Sequence, residues 1–311
     1  MLRATHGSGK RMNDWRKKIK DSLPNAKLDE PLARYTTFRI GGPADCYVEL
    51  GSSKELETLM KLANEFSQPV MFIGFGSNLL VLDGGVRGIV ARLRGDFEKI
   101  EFLAEEKVRA GAAVRVPQLV TACASMGLCG DESLVGIPGT VGGALVMNAG
   151  TREGEIGPLV KEVEVFDPQA LSVTKISDAG LEFRYRHSNL ESRIVLGCVL
   201  QLKRGDKVDI MKRVQSYQQK RLQTQPIHTF NVGSTFKNPP GRFVAKLIEE
   251  AGLKGTSIGG ARISPMHANF IENFSNAKAS DVLELVGRVQ DRIRQAHGIG
   301  LELEMKVVGE R

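Results

Sequence analysis

Apolar residues fall along the chain in two alternating rhythms. A short apolar run, Cys46–Leu50, is followed by Ser52-x-x-Glu55, a pairing in which a hydroxyl and a carboxylate satisfy the free N–H groups at a helix start. Leu56, Leu59, Met60 and Ala63 then recur at helical spacing and predict one face packed on a sheet. A second apolar run, Val70–Ile73, completes a βαβ-like unit and leads into a cluster of glycines. From Ile89 to Leu202 the pattern changes to short β-branched runs (Ile89–Leu93, Val163–Phe166, Ile194–Leu202) separated by turn residues, which predicts a mixed α+β region. Within it, Gly127 to Gly157 shows neither period, and an irregular stretch of that length is expected to be functional. Beyond Gly205-Asp206 the helical period returns, in a polar helix near Val208–Leu222, a helix near Phe243–Ala251, and a helix opened by Ser280 in which Val282, Leu285, Val286, Val289 and Ile293 share a face. A strand, Leu301–Val308, closes the chain.

With 311 residues, the chain exceeds one ordinary hydrophobic core, so several units are expected. The pattern divides it into a basic arm (1–25, with at most a short helix around Trp15–Ser22), two successive subdomains (26–90 and 91–205) and a C-terminal α+β domain (206–311). No run approaches the roughly 20 apolar residues that cross a bilayer, and the N-terminus lacks the apolar segment of a secretion signal, so no membrane insertion and a cytoplasmic location are expected. Apart from the short basic N-terminal stretch, the net charge of +7 is spread among acids rather than gathered on one element, which suits phosphorylated small molecules as well as nucleic acid, and no nucleic-acid partner is expected. Four scattered cysteines without a C-x-x-C pair, and five scattered histidines, point to reduced thiols and no metal site. His267 reads as a structural, hydrogen-bonded histidine, and a monomer is expected.

The 34 glycines change the picture because they cluster. Val70-Met-Phe-Ile-Gly74-Phe75-Gly76-Ser77-Asn78 carries an apolar strand into a turn whose bare backbone can approach a diphosphate. It matches only half of a dinucleotide-binding G-x-G-x-x-G, since Leu79 stands at the third glycine, and taken alone it is better read as a plain turn. The second cluster, Gly136-Ile137-Pro138-Gly139-Thr140-Val141-Gly142-Gly143-Ala144, is too dense for a turn. It makes sense if main chain lies flat against a ligand.

These two clusters, together with Tyr35-Thr-Thr-Phe-Arg39-Ile-Gly41-Gly42 and Gly233-Ser234-Thr-Phe-Lys237-Asn238-Pro239, occur in an order that resembles the UDP-N-acetylenolpyruvoylglucosamine reductase family from residue 35 to the C-terminus. The resemblance implies an α+β fold with a two-part FAD-binding region of the vanillyl-alcohol-oxidase (PCMH) type and a C-terminal substrate-binding domain, in the shorter-looped subclass without a lid tyrosine. It implies reduction of UDP-N-acetylglucosamine enolpyruvate by NADPH through FAD, a step of peptidoglycan synthesis. Gly74, Phe75, Gly76, Ser77, Asn78, Leu79, Gly136, Ile137, Pro138, Gly139, Thr140, Gly142, Gly143 and Ala144 would then hold the FAD, with Phe75 standing where many relatives have another glycine.

Reducing an enol ether conjugated to a carboxylate requires a hydride donor, charge stabilisation on the carboxylate, and an acid. The flavin N5 would supply the hydride. For the acid, the resemblance implies Ser234, presented by Gly233 and polarised by Lys237, although a lone Gly-Ser is ordinarily a loop. Arg186, in Tyr185-Arg186-His-Ser188, carries a planar fork suited to a carboxylate. Arg184 reads as a surface ion-pair residue. Glu304 alternates with Glu302 on one strand face, which by itself suggests two solvent-facing acids. The resemblance instead implies a catalytic carboxyl there, with Lys306 where relatives carry arginine. For the UDP-sugar it points to Asn238 and Lys237, and for its diphosphate to Arg221 or its neighbour Lys220. A sugar or alcohol oxidase of the same flavin fold and a non-enzymatic nucleotide-binding module are the competing readings.

Overall fold

The computed structural model describes residues 8–311, with side chains from Trp15 onward. Helix α1 (Ser8–Ser22) precedes β1 (Lys27–Pro31), β2 (Pro43–Leu50), helix α2 (Ser53–Glu65), β3 (Val70–Phe72), β4 (Leu79–Val81) and β5 (Val86–Leu93). One sheet runs β1-β2-β5-β3, with β5 parallel to both its neighbours. The expected βαβ unit is present, and Leu56, Leu59, Met60 and Ala63 are buried. Its cap is a variant of the expected box. Ser52 Oγ accepts from the Glu55 N–H, but Glu55 reaches back one residue further, to the Gly51 N–H at 2.6 Å.

The second region comprises β6 (Ile100–Phe102), β7 (Lys107–Gly111), helix α3 (Val116–Ser125), β8 (Leu128–Cys129), helix α4 (Val141–Met147), β9 (Val160–Asp167), β10 (Ser172–Ser177), β11 (Phe183–Arg184), β12 (His187–Ser188), β13 (Ile194–Gln201), β14 (Lys203–Arg204) and helix α5 (Lys207–Thr224). Five of these strands form an antiparallel sheet in the order β10-β9-β13-β7-β6. The stretch expected to be irregular contains α4, which the two glycines Gly142 and Gly143 hide from any propensity argument. Thr140 caps it by accepting from the Gly143 N–H, and Asn148 ends it in the left-handed conformation.

Helix α6 (Val244–Glu250), the hairpins of β15 (Ser257–Ile258), β16 (Ala261–Ile263) and β17 (Ile271–Asn273), helix α7 (Ala279–His297) and β18 (Lys306–Val308) follow. The predicted face of α7 is buried, and its first N–H groups donate to the Asp83 carboxylate, far away in sequence.

Three expected divisions differ from the packing. The segment expected as a basic arm sends Trp15, Ile19 and Leu23 into the same core as α2 and the second sheet; residues 1–7 lie outside the described residues. A boundary at residue 90 falls inside β5. Helix α5, expected in the C-terminal domain, buries Ile210 and Val214 in the first core, where a polar helix with a narrow apolar stripe finds its cover. The C-terminal core gathers residues from Val232 onward and borrows Phe38, Ile40, Leu80 and Leu82 from the N-terminal half. The closing strand is also shorter than expected. Only Lys306–Val308 forms a strand, in parallel with β4, while Leu303 makes an isolated bridge to Phe236, so the chain end is stitched directly beside the first glycine cluster.

Candidate active site

The two glycine segments face each other across a cavity of about 770 Å³, a size typical of cofactor-holding clefts. The first segment follows β3; the second leads into α4. They are fitted to one another. A Cβ at Gly74 would stand 2.4 Å from Thr140 Oγ1, and one at Gly76, whose φ is +68°, would stand 2.2 Å from the Tyr35 carbonyl oxygen. Gly139 and Gly143 are different. A Cβ there would meet nothing nearer than Ser77 Oγ at 3.7 Å and Thr140 Oγ1 at 3.6 Å respectively. The fold does not require glycine at these two positions, yet both line the cavity. Bare backbone facing a cleft, beyond what packing demands, fits a bound diphosphate. By this test the residues suit FAD. Phe75, Ser77, Asn78, Leu79, Ile137, Pro138, Thr140, Gly142 and Ala144 share the wall, whereas Gly136 lies outside it, against the Arg221 side chain.

Arg186, Ser234 and Glu304 line the same cavity and come from three separate elements. Arg186 occupies the turn between β11 and β12 at a φ of +55°, an uncommon conformation for a residue with a side chain. Its Nε donates to Glu304 Oε1 at 2.8 Å and one Nη to the Gly150 carbonyl at 2.9 Å. The remaining nitrogen, Nη1, is buried without a hydrogen bond, and the Glu155 carboxylate stands 3.7 Å away. Arg184, in contrast, is exposed and pairs with Glu182 at 3.3 Å, as expected.

Glu304 reaches the cavity because the segment before β18 is not a regular strand. The side chains of Glu302 and Glu304, expected on one face, are 78% and 14% exposed. Backbone bonds fix this path, with Glu304 N–H donating to the Thr235 carbonyl at 2.9 Å and Asn78 Nδ2 donating to the Glu304 carbonyl at 3.0 Å. Burial raises the Glu304 carboxyl above the usual carboxylate range, with Arg186 and Lys237 opposing the shift.

Ser234 follows Gly233, whose φ of +77° turns the chain as expected. The turn is clamped from below by buried Asn269, which accepts from Phe236 N–H and donates to the Phe236 carbonyl. His267 supports Asn269 in turn, its Nδ1 accepting from the Asn269 N–H at 3.3 Å, and burial lowers its pKa, which favours the neutral imidazole. This agrees with the structural role expected for it.

The UDP-sugar candidates lie off the cavity wall. Lys237 Nζ pairs with Glu302 at 3.4 Å, and Asn238 Oδ1 accepts from Val244 N–H at the start of α6. Arg221 is largely buried, with Nε lacking a partner, and Lys220 pairs with Glu153. Sequence reasoning missed Glu155 and Gly150, which hold Arg186; no spacing pattern connects residues 31 and 36 positions away from it. Among the described residues there is no metal-ligand cluster, no helix long and apolar enough to cross a membrane, and all four cysteines are free.

Comparison with known proteins agrees with this geometry in both halves of the chain. Residues 44–174 match the FAD binding domain family, and residues 225–308 match the family described as UDP-N-acetylenolpyruvoylglucosamine reductase, C-terminal domain. The chain is 42% identical over 282 residues to UDP-N-acetylenolpyruvoylglucosamine reductase 2 of Symbiobacterium thermophilum, covering 90% of this chain and 91% of that one. It is 42% identical over 283 residues to the reductase of Moorella thermoacetica, covering 91% and 93%. The crystal structure of the enzyme from Thermus caldophilus superposes with a TM-score of 0.80 at 41% identity, covering 91% of this chain and 98% of that one. Matched along nearly its whole length in sequence and in fold, with an FAD-binding half and the reductase's own C-terminal domain, the chain belongs to the UDP-N-acetylenolpyruvoylglucosamine reductase family.

Proposed function

We propose that this protein uses NADPH and bound FAD to reduce UDP-N-acetylglucosamine enolpyruvate to UDP-N-acetylmuramate in peptidoglycan synthesis, acting as a cytoplasmic monomer. The observation that carries this reading is that Arg186, Ser234 and Glu304, drawn from three elements, share the wall of the glycine-lined cavity. FAD, when bound, supplies the hydride that passes from NADPH to the substrate.

Arg186 receives the enolpyruvyl carboxylate. Two of its nitrogens are spent on Glu304 and Gly150, which orient the guanidinium, and the buried Nη1, which has no hydrogen bond although Glu155 stands 3.7 Å away, receives the ligand and the negative charge that develops during reduction. Ser234 Oγ delivers the proton to the substrate carbon, from a turn too constrained to wander. Glu304, held protonated to higher pH by burial, hydrogen-bonds the same group and replenishes that proton. Lys237 and Asn238 take the UDP-sugar and Arg221 its diphosphate, from positions off the cavity wall, Arg221 against Gly136.

The purified protein is expected to be yellow and to consume NADPH rapidly only when UDP-N-acetylglucosamine enolpyruvate is added. Vigorous NADPH-independent oxidation of a sugar alcohol with peroxide release would instead assign it to the oxidases.

A further inference from the structure

Two guanidinium groups near the first glycine segment have no counter-ion. Arg115, at the start of α3, holds its Cζ 3.2 Å from the centroid of the Phe75 ring, and Arg92, at the end of β5, lies 5.9 Å from the same centroid. Arg115 Nε is buried with no hydrogen-bond partner. Burial first, and the like charge of Arg92 second, push the Arg115 guanidinium below its usual value, and no carboxylate offsets either effect. The neighbouring Arg94, by contrast, is paired with Glu98 at 2.8 Å. Gathering two uncompensated cations on one ring is unfavourable unless an anion joins them.

The position of the pair says which anion. Arg115 is bound by its backbone to the second glycine segment, through the bridge to Thr140 and the bond from Val116 N–H to the Gly139 carbonyl at 3.0 Å. Its side chain meets Phe75 of the first segment. It therefore spans the seam where the two bare backbones converge, and Phe75 and Arg92 both line the cavity. A guanidinium stacked on a ring keeps its N–H edge free, in the geometry that grips phosphate oxygens. We propose that Arg92 and Arg115, braced on Phe75, are positioning residues that seat the diphosphate of FAD across the seam between the two glycine segments. This rests on the reading of the cavity as an FAD site and adds the charge that bare backbone lacks.

FAD dissociation constants, measured by flavin fluorescence on protein stripped of flavin and titrated at stepped ionic strength, test it. In the wild-type protein affinity falls as salt rises. Arg115→Gln and Arg92→Gln each weaken FAD by about 10-fold or more, the loss of a charge-assisted contact, and flatten the salt dependence. Arg115→Lys, which keeps charge without the fork, recovers the salt slope and part of the affinity. Because changing Arg115 can unsettle the start of α3, Arg92→Gln carries the test by itself if the first variant misfolds. Unchanged FAD affinity in the glutamine variants overturns the proposal, as does a loss of affinity with the wild-type salt slope, which a merely structural role would give. A raised KM for NADPH with unaltered FAD affinity also overturns it, assigning the pair to the dinucleotide's phosphates. In each of these cases a yellow, active reductase leaves the underlying functional reading intact, whereas a protein that takes up no FAD at all removes that reading first.

Discussion

The cavity is built in two ways at its two ends. The glycine end is made of main chain, and at Gly74 and Gly76 the contacts are so tight that a single methyl group would collide with the Thr140 hydroxyl of the facing segment or with the Tyr35 carbonyl. The polar end is made of side chains that arrive from residues 186, 234 and 304 and are aligned by hydrogen bonds to groups far away in sequence. The first arrangement leaves no room for a methyl group at Gly74 or Gly76, though it does at Gly139 and Gly143, and it carries no proton chemistry. The second can lose one functional group without disturbing the fold. Binding and chemistry are thereby separable by mutation.

Ser234→Ala gives the largest expected effect. It removes the acid and leaves the backbone that Asn269 clamps, so substrate reduction should slow by about 10² to 10⁴-fold. Reduction of the flavin by NADPH alone, followed by stopped-flow absorbance, should stay near the wild-type rate. Equal slowing of both half-reactions would take Ser234 out of the proton-transfer role and blur the separation between the two ends.

Changes at the glycine end should do the reverse. Gly76→Ala forces a Cβ to within 2.2 Å of the Tyr35 carbonyl at a positive φ, and overpacking of this kind costs about 1–3 kcal/mol. The variant should lose both flavin content and melting temperature. Gly139→Ala meets only ordinary contacts, so it should keep its melting temperature and lose FAD. If the apoprotein of Gly139→Ala melts as early as that of Gly76→Ala, glycine at 139 serves packing and the contrast between the two kinds of glycine fails.

The smallest effect concerns the support of the second glycine segment. Asp131, just ahead of Gly136, is buried with neither carboxylate oxygen hydrogen-bonded, and burial pushes its pKa from 3.8 up to about 7. Below pH 3.8 both folded and unfolded chains are protonated there and nothing is lost. As pH rises towards 7 the unfolded chain ionises first, and the folded state loses relative stability. Asp131→Asn should therefore raise the melting temperature at pH 8, by the equivalent of about 1–2 kcal/mol, and leave it unchanged near pH 4. A gain of equal size at both pH values would show that ionisation is not the cause.

Much of this molecule was legible in its sequence. The packed faces of α2 and α7, the strand–turn character of the first glycine segment, the density of the second and the turn at Gly233 all follow from spacing and backbone freedom, which are local properties. The intact motif around Ser234 added the chemistry by resemblance. Other features were not legible, because they are made by residues that share no local pattern. Helix α4 was concealed by its own glycines and is stabilised by the Thr140 cap and its packing. The first turn of α7 depends on Asp83, and helix α5 joins the first core through Ile210 and Val214, with Met211 and Tyr217 packed partly buried against it. Glu304 and Glu302 look equivalent under strand alternation. Only tertiary structure decides between them, because pairing of β18 with β4 and the bonds to Thr235 and Asn78 pull one carboxyl into the cavity beside Arg186 and leave the other in water. Periodicity fixes which face of an element is apolar. It holds no information on which distant polar group will meet another once the faces have packed, and that meeting is where a pKa shifts and a site acquires its chemistry.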